Sequence, residues 1–148
     1  MATSLHNTGE EFYQKSALAN ATSFTVGLFD DSTAALDDDS VLADVQAAEP
    51  DTAQTYAVQT ATFKVQDGGE TAGDKPDWEL VNDGEITFDV SGNNEDVDSY
   101  YITVNYDQDG NAGDEEVLFA TGDLSQSYAL GNLDTLKLSD AGIGTSLT

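Results

Sequence analysis

Twenty-nine Asp and Glu residues stand against four Lys and no Arg, which leaves this 148-residue chain with a formal charge of −25 at pH 7. In dilute buffer such an excess opposes any compact state through self-repulsion. Ile, Leu, Val and Phe together number 32, about a fifth of the chain and close to the level at which chains stay unfolded. Their arrangement argues for folding all the same. They are gathered into short alternating runs separated by Gly, Asn and Asp, which is the pattern of half-buried strands joined by turns. The expectation is a folded β protein with an acidic skin.

The same charge excludes several partners. Nucleic acids and anionic membrane surfaces select Lys and Arg, so neither is expected to bind. With no Cys there is no disulfide, thiolate nucleophile or zinc-thiolate site, and His6 is the single histidine. Nowhere do 18 apolar residues run together, and Met1–Glu11 has neither a basic region nor an apolar core of a leader. A soluble protein made in the cytoplasm is expected. At an ionic strength of about 1 M the Debye length is roughly 3 Å, so surface carboxylates barely repel one another. Asp outnumbers Glu by 20 to 9, with small polar residues in abundance. The composition resembles that of proteins from extreme halophiles.

Along the chain, His6–Asn20 reads as a helix: Asn7 can cap, Glu10 follows three residues later, and Phe12, Ala17, Leu18 and Ala19 offer an apolar side. From Ser23 the period becomes two, with Phe24, Val26 and Leu28 opposite Thr25, Gly27 and Phe29. Asp30–Asp39 reads as a surface loop, followed by a helical turn at Val41–Val45 capped by Asp39 or Ser40. A long strand is expected over Thr55–Gln66, then a Gly-rich charged loop to Asp77. Strands follow at Glu85–Val90, Ser99–Tyr106, Glu116–Thr121, Ser127–Leu130 and Leu133–Leu138, with a last short run at Ile143–Leu147. The fold class is mainly β: a single-domain β-sandwich or barrel of about seven to eight strands. A helical arm over residues 1–22 precedes a β domain over 23–148.

The strongest local motif is NYDQDGNAGDEE, where Asn105, Asp107, Asp109, Gly110 and Glu116 take the spacing of a calcium-binding EF-hand loop. Asn replaces the first Asp, and the flanks read as strands rather than helices, so a hairpin loop fits the same residues. Ca²⁺ is the one cofactor the sequence raises, with Asn105, Asp107, Asp109 and Glu116 as its ligands. Acidic pairs such as Glu10/Glu11 and Glu115/Glu116 sit in polar runs that do not desolvate either carboxyl. A serine nucleophile lacks a base, and no phosphate-binding loop with its Lys occurs. No catalytic residue is assigned and an enzyme is not expected. Tyr100 and Tyr101 are adjacent on a strand, so one ring faces each side. One is read as core and Tyr101 as a candidate contact residue, while Trp78 plugs the edge of the core.

With these segments in order, the chain resembles a family of small structural proteins of tailed viruses of bacteria and haloarchaea. The resemblance rests on the N-terminal helix, SFTVGLFDD (Ser23–Asp31), TYAVQTATF (Thr55–Phe63), DWELVNDGEITFDV (Asp77–Val90), VDSYYITVNYD (Val97–Asp107), VLFATGDLSQSYAL (Val117–Leu130) and LDTLKLSDAGI (Leu133–Ile143). At Ala57-Val58-Gln59 the chain departs from bacterial members, which commonly carry an Arg there. The resemblance implies a virion component, made in the host cytoplasm and displayed on capsid or tail. A capsid-decorating or turret protein docked on the major capsid protein as a homo-oligomer, a trimer by preference, is the expected role. Leu5, Phe12 and Leu18 of the arm would anchor it to a neighbour. A tail or baseplate component, with host-receptor binding, and a calcium-stabilised adhesion module remain alternatives.

Dilution from multimolar KCl into low-salt buffer is expected to abolish the β signal in far-UV circular dichroism, because screening is removed while the carboxylates remain. A full β spectrum in near-salt-free buffer would contradict this.

Overall fold

The computed structural model describes residues 6–67, 78–108, 110 and 114–146. Helix α1 (Asn7–Asn20) leads into β1 (Ser23–Phe29), followed by a short helix α2 (Leu42–Gln46). Strands β2 (Gln59–Ala61), β3 (Phe63–Asp67), β4 (Trp78–Asn82), β5 (Ile86–Asp89), β6 (Asp96–Tyr106), β7 (Glu115–Ala129), β8 (Thr135–Leu138) and β9 (Gly144–Ser146) complete the described chain. The protein is mainly β, with nine strands in three sheets and no closed barrel among the described residues. The sheets have the orders β2-β1-β6-β7, β3-β4-β9 and β5-β8, and every pairing is antiparallel.

Period-two patterning places the main core. Phe24, Val26 and Leu28 of β1 and Tyr100 and Ile102 of β6 share one face of the four-stranded sheet. They meet Phe63 and Leu80 of the three-stranded sheet and Ile86, Phe88, Leu136 and Leu138 of the two-stranded one. The opposite face is also covered. Phe29 and Tyr101 form a second cluster with Val45 of α2, against which Ala34, Leu36 and Leu42 pack. The acidic stretch Asp30–Asp39, expected as a plain surface loop, thus lays Ala34 and Leu36 over the outer face of β1 and β6. Its Asp residues stay in water and fold the loop on itself: the Asp30 and Asp37 carboxylates accept N–H bonds from Ser32 and Asp39, both at 3.0 Å.

Tyr100 and Tyr101 act as a pair. Each lies against a glycine directly across the ladder, Tyr100 over Gly122 of β7 and Tyr101 over Gly27 of β1. A Cβ at either glycine would overlap the tyrosine ring. Both sheet faces are therefore filled at the centre of β6 by a ring standing where the opposite strand has no side chain.

Four boundaries differ from the sequence reading. The expected strand Thr55–Gln66 begins only at Gln59 and breaks at Thr62, where the chain passes from the first sheet to the second. The Thr62 carbonyl accepts from the Asp83 N–H at 2.7 Å, which holds this corner. The two strands expected at Glu116–Thr121 and Ser127–Leu130 are one, β7, in which Leu124–Ser127 stand opposite the single residue Asp98. Helix α2 is capped by neither Asp39 nor Ser40. Asp44 accepts the Val41 N–H at 2.8 Å, whereas Ser40 Oγ accepts from the Asp37 N–H. For α1, His6 occupies the cap position and no side chain caps it.

Asn82 ties β4 to the end of the chain. It is fully buried, its Oδ1 accepts the Ile143 N–H at 3.0 Å, and its Nδ2 donates to the Gly84 and Ser139 carbonyls at 2.8 and 2.9 Å. Replacing Asn82 by Ala leaves the buried Ile143 N–H without its acceptor, whereas the Gly84 and Ser139 carbonyls belong to exposed residues and can turn to water; a loss of about 1–3 kcal/mol in urea unfolding is expected, the cost of one unpaired buried group. A change within about 0.5 kcal/mol, the scale of an ordinary surface substitution, would show that the hub is dispensable.

Candidate interaction surface

The structure disperses most of the sequence candidates. Asn105 and Glu116 face each other across the β6–β7 hairpin, but both are engaged with the sheet. Asn105 Nδ2 donates to Ser23 Oγ at 3.1 Å. Glu116 Oε1 accepts from Thr103 Oγ1 at 2.8 Å and Thr25 Oγ1 at 3.2 Å, and the two threonine hydroxyls also contact each other. Asp107 Oδ1 accepts the N–H of Gly110, whose φ of +76° is the left-handed value a hairpin loop demands of glycine. Asp109 lies outside the described residues. Among the described residues no cluster of three or more His, Asp or Glu is arranged to hold a metal. Asn105, Asp107 and Glu116 thus serve a polar ladder and a turn.

Tyr101 is not a surface contact residue. It is 1 % exposed, and its hydroxyl donates to Glu49 Oε1. Tyr56 donates to the same oxygen at 2.6 Å while accepting the Leu28 N–H at 2.9 Å. That N–H lies on the side of β1 where β2 has already ended, so the tyrosine hydroxyl takes the place of a missing strand partner. Burial, together with the neighbouring Glu49 carboxylate, raises the pKa of both phenols well above the usual value near 10. The cluster can hold its protons. It ties Glu49 to both cores.

Helix α1 carries a surface that the core does not explain. Glu10, Gln14 and Leu18, spaced by four, turn inward: Glu10 and Gln14 are 5 % and 3 % exposed, and Leu18 packs on the main core. Gln14 Nε2 donates to the Thr145 carbonyl at 3.3 Å and reaches the Trp78 carbonyl at 3.5 Å, which seats the helix on β4 and β9. Lys15 stands 5.5 Å from the centre of the Trp78 ring. Trp78 is thus half-covered by the helix and does not plug the core. Glu10 Oε2 is buried and has no hydrogen-bond partner among the described residues.

The aromatic residues of α1 point the other way. Phe12 and Tyr13 are 67 % and 56 % exposed and touch edge to face, with ring centres 5.8 Å apart. Beside Tyr13 a groove of about 400 Å³ runs between the helix and the ends of β6 and β7, lined by Ala17, Phe24, Val104, Val117 and Phe119. No Asp or Glu lines it, although the chain has 29. Of the contact residues expected from the sequence, Phe12 is exposed, Leu18 is committed to its own core, Tyr101 is buried, and Leu5 lies outside the described residues. Tyr13 was not singled out by sequence. Its signal is the i, i+4, i+8 spacing of Glu10, Gln14 and Leu18, which fixes the inward face and leaves 12 and 13 outside.

No protein family, curated protein or solved structure matches this chain.

Because Tyr56 and Tyr101 keep their protons in the folded state, their contribution to stability is complete below about pH 10, where the unfolded phenols titrate, and falls as pH rises above it. The urea midpoint in concentrated KCl is expected to drop steeply above pH 10. Tyr101→Phe should remove one proton from that dependence, about 1.4 kcal/mol per pH unit. An unchanged slope would show that the Tyr101 hydroxyl is not held protonated.

Proposed function

We propose that this protein works by docking rather than by chemistry, as a non-enzymatic component of a virion bathed in concentrated salt. The observation that carries the reading is the reversed polarity of α1. A helix that served only its own domain would turn Phe12 and Tyr13 inward and leave Glu10 and Gln14 in water. Here the polar pair is buried and the aromatic pair is exposed, an arrangement that gains free energy only when something covers it. Depletion of charge with enrichment of aromatics is also the composition of a contact surface.

Salt favours such a contact. Screening removes the repulsion between acidic surfaces, and excluded salts strengthen apolar burial. On the family resemblance the larger body is a tailed-virus particle. The place that suits a small, disulfide-free β domain best is the capsid surface, as a decorating or turret subunit on the major capsid protein. A tail or baseplate position would use the same contact at far lower copy number.

The double variant Phe12→Ser/Tyr13→Ser is expected to keep its circular dichroism spectrum and thermal midpoint in brine while losing incorporation into particles. Densitometry of purified particles gives the copy number, and a wild-type level of the double variant would overturn the docking role of α1.

A further inference from the structure

We propose that the segment from Asp30 to Tyr56 is a salt-gated strap: concentrated salt lets it lie closed over the outer face of β1 and β6, and a fall in salt lifts it off Phe29 and Tyr101 while the main core stays folded. The segment carries eight of the chain's 29 carboxylates and none of its Lys residues. Lys15, Lys64 and Lys137 are paired elsewhere, with Glu11, Asp140 and Glu85. The surface under the strap is acidic as well. At the start of the strap the Asp31 N–H donates to Asp98 Oδ1 at 2.8 Å, and near its end the Asp51 N–H donates to Glu95 Oε2 at 2.6 Å. The cleft along this join, of about 260 Å³, has Asp30 and Glu49 on the strap side and Glu95 and Asp96 on the other, and no Lys lines it among the described residues. Acidic residues thus meet acidic residues along the seam.

What holds the strap down is small. Its apolar residues Ala34, Leu36, Leu42, Val45 and Ala48 close on Phe29 and Tyr101, in a cluster with three buried residues against the sixteen of the main core among the described residues. Apolar burial stabilises in proportion to area, so the strap opens for a fraction of the free energy of global unfolding, as a separate cooperative unit. Glu49 adds a latch by accepting the Tyr101 hydroxyl. Tyr56 fixes the far end: its ring stacks on Phe88 of the main core with centres 6.2 Å apart, and its hydroxyl accepts the Leu28 N–H. Rooted at β1 and at Tyr56, the strap can lift without drawing the sheet with it. Salt decides whether it does. The Debye length is roughly 3 Å near 1 M and about 10 Å at 0.1 M, and neighbours such as Asp37, Asp38 and Asp39 are about 3.8 Å apart along the backbone. Like charges on the strap and across its seam are therefore screened in brine and repel in dilute buffer. A fall in salt becomes exposure of two aromatic rings before the fold is lost.

Hydrogen exchange of the wild type, followed residue by residue during stepwise dilution from multimolar KCl, separates the two events. The amides of Asp30, Asp31 and Asp51, bonded to the Ala48 carbonyl, Asp98 and Glu95, are expected to lose protection at a higher salt concentration than the amides of β6, while far-UV circular dichroism still shows the β signal. Tyr101, 1 % exposed under the closed strap, should become open to nitration by tetranitromethane over the same range, with Tyr13, 56 % exposed, as the reference ring. Asp38→Asn/Asp39→Asn removes two exposed strap carboxylates and should move the opening to lower salt. Glu79→Gln/Asp114→Asn removes the same charge outside the strap and should leave the opening where it is. Leu36→Ala, which cuts an apolar contact of the strap without changing its charge, should move the opening to higher salt. Strap and β6 amides that lose protection together at every salt concentration, or an equal shift from the two charge-removing variants, would overturn the proposal.

Discussion

At the centre of β6 two neighbouring tyrosines fill both faces of the main sheet, each over a glycine of an adjacent strand. Adjacent residues on a strand point to opposite sides, so this one dipeptide links the large core, through Tyr100, to the smaller cluster under α2, through Tyr101. The glycines are what permit it, since any side chain at Gly27 or Gly122 would occupy the space of the ring. Strand β6 is consequently buried on both faces over much of its length. The Glu49 carboxylate then joins the two cores by accepting hydrogen bonds from Tyr56 and Tyr101. In a chain so rich in carboxylates, Glu49 is one of few that the interior uses, and it is satisfied by neutral phenols rather than by a cation.

With the interior closed in this way, charge is left to the surface and to the solvent. Among the described residues ion pairs are few and none is buried: Lys15 pairs with Glu11, Lys64 lies 3.0 Å from Asp140, and Lys137 lies 3.7 Å from Glu85. Such pairs contribute little, and concentrated salt weakens them further. The same salt relieves repulsion over the rest of the surface, which is the larger effect by weight of numbers. The groove beside α1 is a part of the surface lined by no carboxylate.

The strands with clean alternation were legible. Phe24, Val26 and Leu28 of β1 and Tyr100, Ile102 and Val104 of β6 recur at every second position, and they share the face toward the main core. The break at Thr62 and the bulge at Leu124–Ser127 were not, because a corner between sheets and an extra run of residues leave the local composition of a strand unchanged. The second core was missed for a related reason. Ala34 and Leu36 are isolated apolar residues among aspartates, and only the rings of Phe29 and Tyr101 on the far face of the sheet give them something to cover. In the candidate surface, Phe12 was visible as an apolar residue of an arm, but its direction was not. Phe12 and Leu18 were read as one apolar side, whereas the packed helix separates them.

Composition and periodicity alone determined that this chain is a folded, strand-rich body with nearly all its carboxylates in water, because burying an unpaired charge is costly and alternating apolar side chains collect on one face. They also determined that Cys-based chemistry has no residue to work with and that His6 is the single histidine. Which side of the first helix meets the body, and which tyrosine of the pair is buried against which core, was decided only by tertiary packing. A helix of mixed polarity has no preferred side until a particular neighbour, here the Trp78 and Thr145 carbonyls reached by Gln14, selects it. The exposed aromatics are what that choice leaves outside.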